Sequence, residues 1–182
     1  MTNEEEHINI IKGCKQNDRK AQQALYKAYY KTMVTICLRY TRNEDDAVEV
    51  LNNGFLKVFQ NIQRYESKRA SLYTWIRTIV INSCLDFIKK KSRAEEHHEL
   101  NKATEVHVPA EVINKMKATE LLSLIRTLPP STAAVFNLYI IEGYNHKEIG
   151  RLLTISEGTS KWHLSEARKQ LQQKIKMQDA NS

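Results

Sequence analysis

Apolar residues recur at helical spacing through most of the chain, and the breaks in that recurrence divide it into elements. A short apolar run around Ile8 to Ile11 predicts a first helix. Asp18 can cap a second, in which Leu25, Tyr29, Thr32, Met33, Ile36, Cys37 and Tyr40 share one face before the pattern stops near Asn43. Glu44, Asp45 and Asp46 then place carboxylates where a helix dipole favours them. Val48, Leu51, Phe55, Val58, Phe59 and Ile62 make the apolar stripe of that third helix. The polar, net basic segment from Arg64 to Ser71 interrupts the pattern. Leu72 to Arg93 resumes it, apolar on most of the circumference, with Trp75, Asn82, Asp86, Lys89 and Arg93 confined to one narrow strip.

Between Lys90 and Pro109 periodicity fails and charged residues follow one another. From Val112 a further helix turns Met116, Leu121, Leu122, Leu124, Ile125 and Leu128 inward and ends at Pro129-Pro130. Ser131 to Ile141 predicts another, carrying Val135, Phe136, Leu138 and Tyr139. After Gly143, Asn145 can cap a short helix with Ile149, Leu152 and Leu153 on its apolar face. Ser156-Glu157-Gly158 is expected to form the tight turn before a last helix, which buries Ser160, Leu164, Ala167 and Leu171 and leaves Lys161, Trp162, His163, Ser165, Arg168 and Lys169 off the buried face. The expectation is an all-α protein of two small helical domains, residues 1–93 and 112–182, joined by a flexible linker over 94–111. The second domain reads as a helix-turn-helix.

Composition narrows the functions open to such a chain. Its 182 residues carry a formal charge of +7 and a pI near 9.3, which suits an anionic partner such as nucleic acid or a membrane surface. No apolar run approaches the roughly 20 residues that span a bilayer, and the acidic start from Met1 to His7 lacks a signal-peptide pattern, so a cytoplasmic protein without membrane insertion is expected. Cys14, Cys37 and Cys84 are too widely spaced for a zinc motif and odd in number, which points to small core residues in a reducing compartment. His97 and His98 stand in the charged linker, where solvation outweighs metal binding, and no metal or cofactor is expected. The motifs of nucleophile elbows, zinc proteases and phosphate loops are absent, so the chain does not read as an enzyme.

Nucleic-acid chemistry fits better. In the last helix the first-turn amides near Thr159 can approach a phosphate while Lys161, Trp162 and His163 face a major groove. Lys147, Arg168 and Lys169 suit phosphate contacts, which give affinity without sequence information. The competing explanation is that Trp162 packs on the preceding helix and Lys161 is merely solvated. In the first domain, Tyr65, Ser67, Lys68, Arg69 and Ser71 stand beside the strip of Trp75 and Asn82. That is a composition able to grip single-stranded DNA and hold an extruded base, though Trp75 serves equally as a core anchor. The helix from Asp46 carries Asn52 and Asn53 amid apolar and acidic neighbours, a surface suited to a helical partner.

Three blocks occur in one order: Asp46 to Phe59, Tyr73 to Asn82 with Asp86, and Leu128-Pro129-Pro130 followed by Glu142 to Ile149 and Ile155 to Lys161. Together they resemble the extracytoplasmic-function sigma factors of the bacterial sigma-70 family. The resemblance implies a transcription initiation factor that binds core RNA polymerase and contributes to promoter melting, with its first domain on the minus-ten element and its second on the minus-thirty-five element. It implies that Asp46, Glu49, Asn52, Asn53, Phe55 and Lys57 meet the clamp helices of the largest polymerase subunit. It further implies that the loop from Tyr65 to Ser71 and Asn82 capture a minus-ten base, with Arg77, Lys89 and Arg93 on nearby backbone, and that Ser165 joins Lys161, Trp162 and His163 at the minus-thirty-five major groove. An anti-sigma factor is a partner that family members often have. Two departures stand out: Asn52-Asn53 replaces a usual Gln-Glu pair, and Trp162-His163 occupies the centre of the recognition helix. The alternative is a helix-turn-helix regulator that never joins polymerase, against which the first domain argues.

Overall fold

A computed structural model describes residues 3–95 and 118–179. The linker expected over 94–111, the helix start at Val112 and Met116, and His97 and His98 lie almost wholly outside the described residues. Eight α-helices and no strand occur among those described. The chain divides into two compact units, one from Met1–Leu38 and Asn43–Cys84, the other from Arg39–Arg42 and Leu85–Ser182.

The first unit holds α1 (Asn3–Lys15), α2 (Arg19–Cys37), α3 (Glu44–Asn61) and the start of α4 (Leu72–Glu95). The starts of α2, α3 and α4 are chemically marked. Asp18 accepts from the amides of Lys20 and Ala21, Asn43 from Asp46 at 2.7 Å, and Ser71 from Thr74 at 3.1 Å, so orphan N–H groups of each first turn find partners. α1 is longer than the apolar run at Ile8 to Ile11 and packs on α2, which packs on α3. Leu25, Met33, Leu51, Phe55, Ile62 and Ile76 are fully or almost fully buried. Thr32, placed by periodicity on the inner face of α2, is exposed, and Tyr40 lies beyond the helix end yet is buried. A Cβ on Gly54 would come within 3.2 Å of Val80, so a glycine is what lets α3 approach α4. Cys14, Cys37 and Cys84 are buried free thiols.

The second unit contains α5 (Ala118–Arg126), α6 (Pro130–Phe136), α7 (His146–Leu153) and α8 (Glu157–Asp179). Two features differ from the sequence pattern. The run from Ser131 to Ile141 is not one α-helix: α6 ends at Phe136 and Asn137–Ile141 winds as a π-helix, with the Glu142 amide donating to the Asn137 carbonyl. The extra residue per turn accommodates Asn137, which is fully buried and donates its side-chain amide to the Arg39 carbonyl at 2.7 Å. The turn between α7 and α8 also sits earlier than Ser156-Glu157-Gly158. Thr154 takes a left-handed conformation (φ 61°), Ile155 donates back to Gly150, and Ser156 caps α8, so Glu157 and Gly158 are already helical. The predicted cap of α7 is a complete capping box: Asn145 accepts from the Glu148 amide at 2.9 Å while Glu148 accepts from the Asn145 amide at 2.8 Å. α8 packs on α5, α6 and α7, burying Ser160, Leu164, Ala167 and Leu171 as the spacing predicts.

Candidate nucleic-acid and polymerase interfaces

Along α8 the helical period that buries Leu164 and Leu171 turns Thr159, Lys161 and Trp162 outward, and all three are exposed. Lys161 is not a lone cation. Its ammonium lies 2.8 Å from the Glu157 carboxylate one turn earlier, and the pair holds the Glu157 pKa below and the Lys161 pKa above their ordinary values. An exposed pair of this spacing is weak and readily re-formed around a ligand. Lys147 is exposed at the start of α7, and Arg151, which sequence reasoning did not single out, is exposed one turn on; both border an open hollow with Gly150, Thr154, Ile155 and Glu157. Ser165, Arg168 and Lys169 are half-buried along the flank of α8.

His163 departs from its expected place. Its Nδ1 lies 3.0 Å from the hydroxyl of Thr132, a buried residue of α6, so the ring is tied back to the unit rather than presented with its neighbours. His146 is tied similarly, with Nδ1 3.0 Å from the hydroxyl of fully buried Ser160 and its ring stacked on Tyr139 at 4.6 Å. Burial lowers the pKa of both; for His146 the nearby Lys161 and Arg168 lower it further and Glu157 opposes them. A histidine with a depressed folded pKa binds its proton more readily unfolded, so stability rises with pH below the ordinary value of 6.5. The melting temperature of the second unit should therefore fall as pH drops from about 7.5 toward 5.5. The His146→Asn/His163→Asn double variant should show a flatter dependence; equal slopes for both proteins would contradict this account.

In the first unit the basic loop follows a single 3-10 turn, Ile62–Arg64. Ser67, Lys68 and Arg69 are exposed, Arg69 pairing with Glu66 at 2.8 Å. Tyr65 is not available as a stacking platform at the surface: it is buried, its hydroxyl donates to the Ala70 carbonyl at 3.2 Å, and its ring packs 5.3 Å from Trp75. The physical reason is economy of burial, since one aromatic pair seals the loop against α4 while the Tyr65 hydroxyl satisfies a loop carbonyl. Trp75 is consequently half-buried, and Ser71 is engaged as the cap of α4, sharing a hydrogen bond with the Thr74 hydroxyl. Asn82 is exposed on α4 and Arg77 is half-buried. Lys89, half-buried, belongs to the second unit, and the side chain of Arg93 lies outside the described residues.

Asn52 and Asn53 are exposed on α3, as is Glu49; Asp46 and Lys57 are half-buried. The Tyr26 hydroxyl of α2 donates to Asn52 Oδ1 at 2.8 Å, so one end of that amide is already committed. Phe55 cannot serve as a surface contact. It is 2% exposed and packs edge-on against Tyr26 at 4.8 Å, because its position falls on the stripe that builds the core. The apolar group presented beside Asn52 and Asn53 is instead Leu56, 56% exposed, which the motif did not reveal but its offset from the Leu51-Phe55-Val58 stripe does.

No helix among the described residues is long and apolar enough to cross a membrane. Residues 25–94 match the family model for sigma-70 region 2, and residues 118–171 match that for sigma-70 region 4. The chain is 26% identical over 154 residues to the extracytoplasmic-function RNA polymerase sigma factor SigE of Mycolicibacterium smegmatis, an alignment covering 81% of this chain and 58% of that protein. It is 25% identical over 178 residues to SigW of Bacillus subtilis, covering 91% and 95% respectively. Among solved structures, the sigma factor RpoE of Bartonella quintana in complex with the anti-sigma factor NepR shares the fold. The TM-score is 0.51 at 15% identity, over 85% of this chain and 96% of that one.

Proposed function

The chain belongs to the sigma-70 family as an extracytoplasmic-function sigma factor, and we propose that it binds core RNA polymerase and directs it to promoters, acting in the cytoplasm. The observation that carries the proposal is the presence of both regions in one chain, region 2 over 25–94 and region 4 over 118–171. A plain helix-turn-helix regulator has no use for the first.

The two regions divide the work. Glu49, Asn52, Asn53 and Leu56 offer a mixed polar and apolar face of α3 to the clamp helices of the largest polymerase subunit, with Asp46 and Lys57 at its margins. Ser67, Lys68 and Arg69 with Asn82 face the minus-ten element, where the exposed amide of Asn82 can donate to and accept from the edge of an unpaired base. Trp75 and Tyr65 set the loop's shape from beneath. Thr159, Lys161 and Trp162 present to the minus-thirty-five major groove, and Lys147, Arg151, Arg168 and Lys169 supply phosphate contacts whose contribution weakens with salt. We place the functional domains at residues 1–93 and 112–182 with a linker at 94–111; the region 2 match over 25–94 and the region 4 match over 118–171 support that division, whereas compactness divides the chain earlier in α4, between Cys84 and Leu85. The protein's part is binding and strand capture, and nucleotide chemistry stays with polymerase. An anti-sigma factor is the expected regulator.

Reconstitution tests this directly. Sigma-free core polymerase mixed with the protein and a library of promoter fragments should yield specific transcripts, and the protein should co-purify with core. Failure of both sinks the proposal. Asn82→Ala should leave duplex minus-thirty-five binding intact but reduce permanganate reactivity of minus-ten thymines. Normal melting would remove Asn82 from the site.

A further inference from the structure

Trp162 is the largest apolar side chain exposed on the recognition helix, at 37%. An exposed indole on a helix would ordinarily sample several rotamers, and fixing it on binding costs conformational entropy that subtracts from affinity. Here the ring has a support. His163 sits against it, ring centroids 4.7 Å apart at 68°, an edge-to-face arrangement. His163 is itself held from below by the Thr132 hydroxyl at 3.0 Å, and Thr132 is only 2% exposed, anchored in α6. Burial lowers the His163 pKa from its ordinary value and so disfavours the charged imidazolium. Thr132, His163 and Trp162 therefore form a relay from the buried interior of the second unit to its outer face, ending in an apolar plane beside the Glu157–Lys161 pair.

In the major groove, the base-pair feature that an apolar plane can distinguish is the C5-methyl of thymine. We propose that Trp162 is a specificity-determining residue that packs on a thymine methyl in the upstream promoter element, and that His163 and Thr132 are positioning residues that hold its indole in place. This rests on the reading that the second unit docks on duplex DNA. It assigns a role to Thr132, which lies outside the helix-turn-helix motif, and it changes that of His163 from reader to buttress.

Replacing thymine by uracil deletes the methyl alone. Holoenzyme reconstituted from the full chain and core polymerase would first select its preferred upstream element from a randomised duplex pool. Each thymine of the selected element would then be replaced by uracil in turn. One replacement should weaken wild-type binding about fourfold, the worth of one buried methyl. Trp162→Ala should lose that penalty, Thr132→Val should cut it below about twofold, and Thr132→Ser should restore it. A role for Thr132 confined to stability would leave the uracil penalty unmoved in folded protein. Should Thr132→Val fail to fold, His163→Ala reads the same quantity with the α6 sequence unchanged. A penalty absent at every position, or unchanged in Thr132→Val and His163→Ala, overturns the inference. Enrichment of no duplex at all by wild-type holoenzyme overturns the function as well, so the two failures are distinguishable.

Discussion

Gly150→Ala should cost the second unit about 1–3 kcal/mol and lower duplex binding far more than any loss of charge would explain. A Cβ at this position would lie 2.9 Å from the Ile155 carbonyl oxygen, closer than carbon and oxygen tolerate. The obstacle is backbone, so no side-chain rotation relieves it. The same two residues are joined by the hydrogen bond from the Ile155 amide to the Gly150 carbonyl, which closes the turn after Thr154 has reversed the chain. Opening that turn shifts Ser156, the cap of α8, and with it the angle at which Lys161 and Trp162 leave the domain. Thermal or denaturant unfolding reads the stability loss, and anisotropy on an upstream-element duplex reads the second. Wild-type values in both would mean that the turn adapts without cost.

The same turn shows what was readable beforehand. Helix starts were legible because they are local chemistry: Asp18 and Asn145 each accept from an amide two or three residues ahead, and the carboxylates of Glu44 to Asp46 mark the first turn of α3, so nothing distant decides them. The inward face of α8 was legible for a similar reason, since Leu164, Ala167 and Leu171 follow one period. The turn itself was misplaced by two residues because Gly158 looked like a breaker, whereas the residue that reverses the chain is Thr154, a β-branched type that seldom takes positive φ. The π-helix at Asn137–Ile141 was illegible because Asn137, where it begins, is bonded to a carbonyl far away in sequence that no local pattern reveals.

Two side-chain placements were illegible for the same reason. Tyr65 and His163 are polar aromatics in segments that read as surface, and each is drawn inward by one distant partner, Trp75 for the first and Thr132 for the second. A loop residue such as Tyr65 has no face until its tertiary neighbour is known, and His163, next to the buried Leu164 on α8, is turned by one contact that spacing does not reveal. Family membership, by contrast, depends on several blocks in order and tolerates such local displacements, which is why the broad function was accessible when the orientation of single side chains was not.

Phe55 and Leu56 turn that distinction into an experiment. The two are adjacent on α3 and similar in hydrophobicity, yet one is 2% exposed and the other 56%. Phe55→Ala removes an aromatic ring packed between Tyr26 at 4.8 Å and Phe59 at 5.9 Å, and should cost about 3–5 kcal/mol, a large share of a small unit's stability. Leu56→Ala removes a side chain that water already surrounds and should move stability by no more than about 0.5 kcal/mol. Affinity for core polymerase should divide the other way per folded molecule. Leu56 stands one turn from exposed Asn52, whose amide oxygen accepts from Tyr26, so the two would meet the clamp helices together. An apolar anchor at the centre of such a contact is worth about 2 kcal/mol when truncated, roughly a thirtyfold loss. Denaturant unfolding of each variant, followed by titration of folded protein against core polymerase, separates the two effects. If Leu56→Ala binds core as tightly as wild type, the face of α3 bearing Asn52 and Asn53 is not the docking surface. If instead Phe55→Ala is stable and selectively loses core binding, the ring must leave the interior on docking, and the packing between α2 and α3 would have to open when polymerase binds.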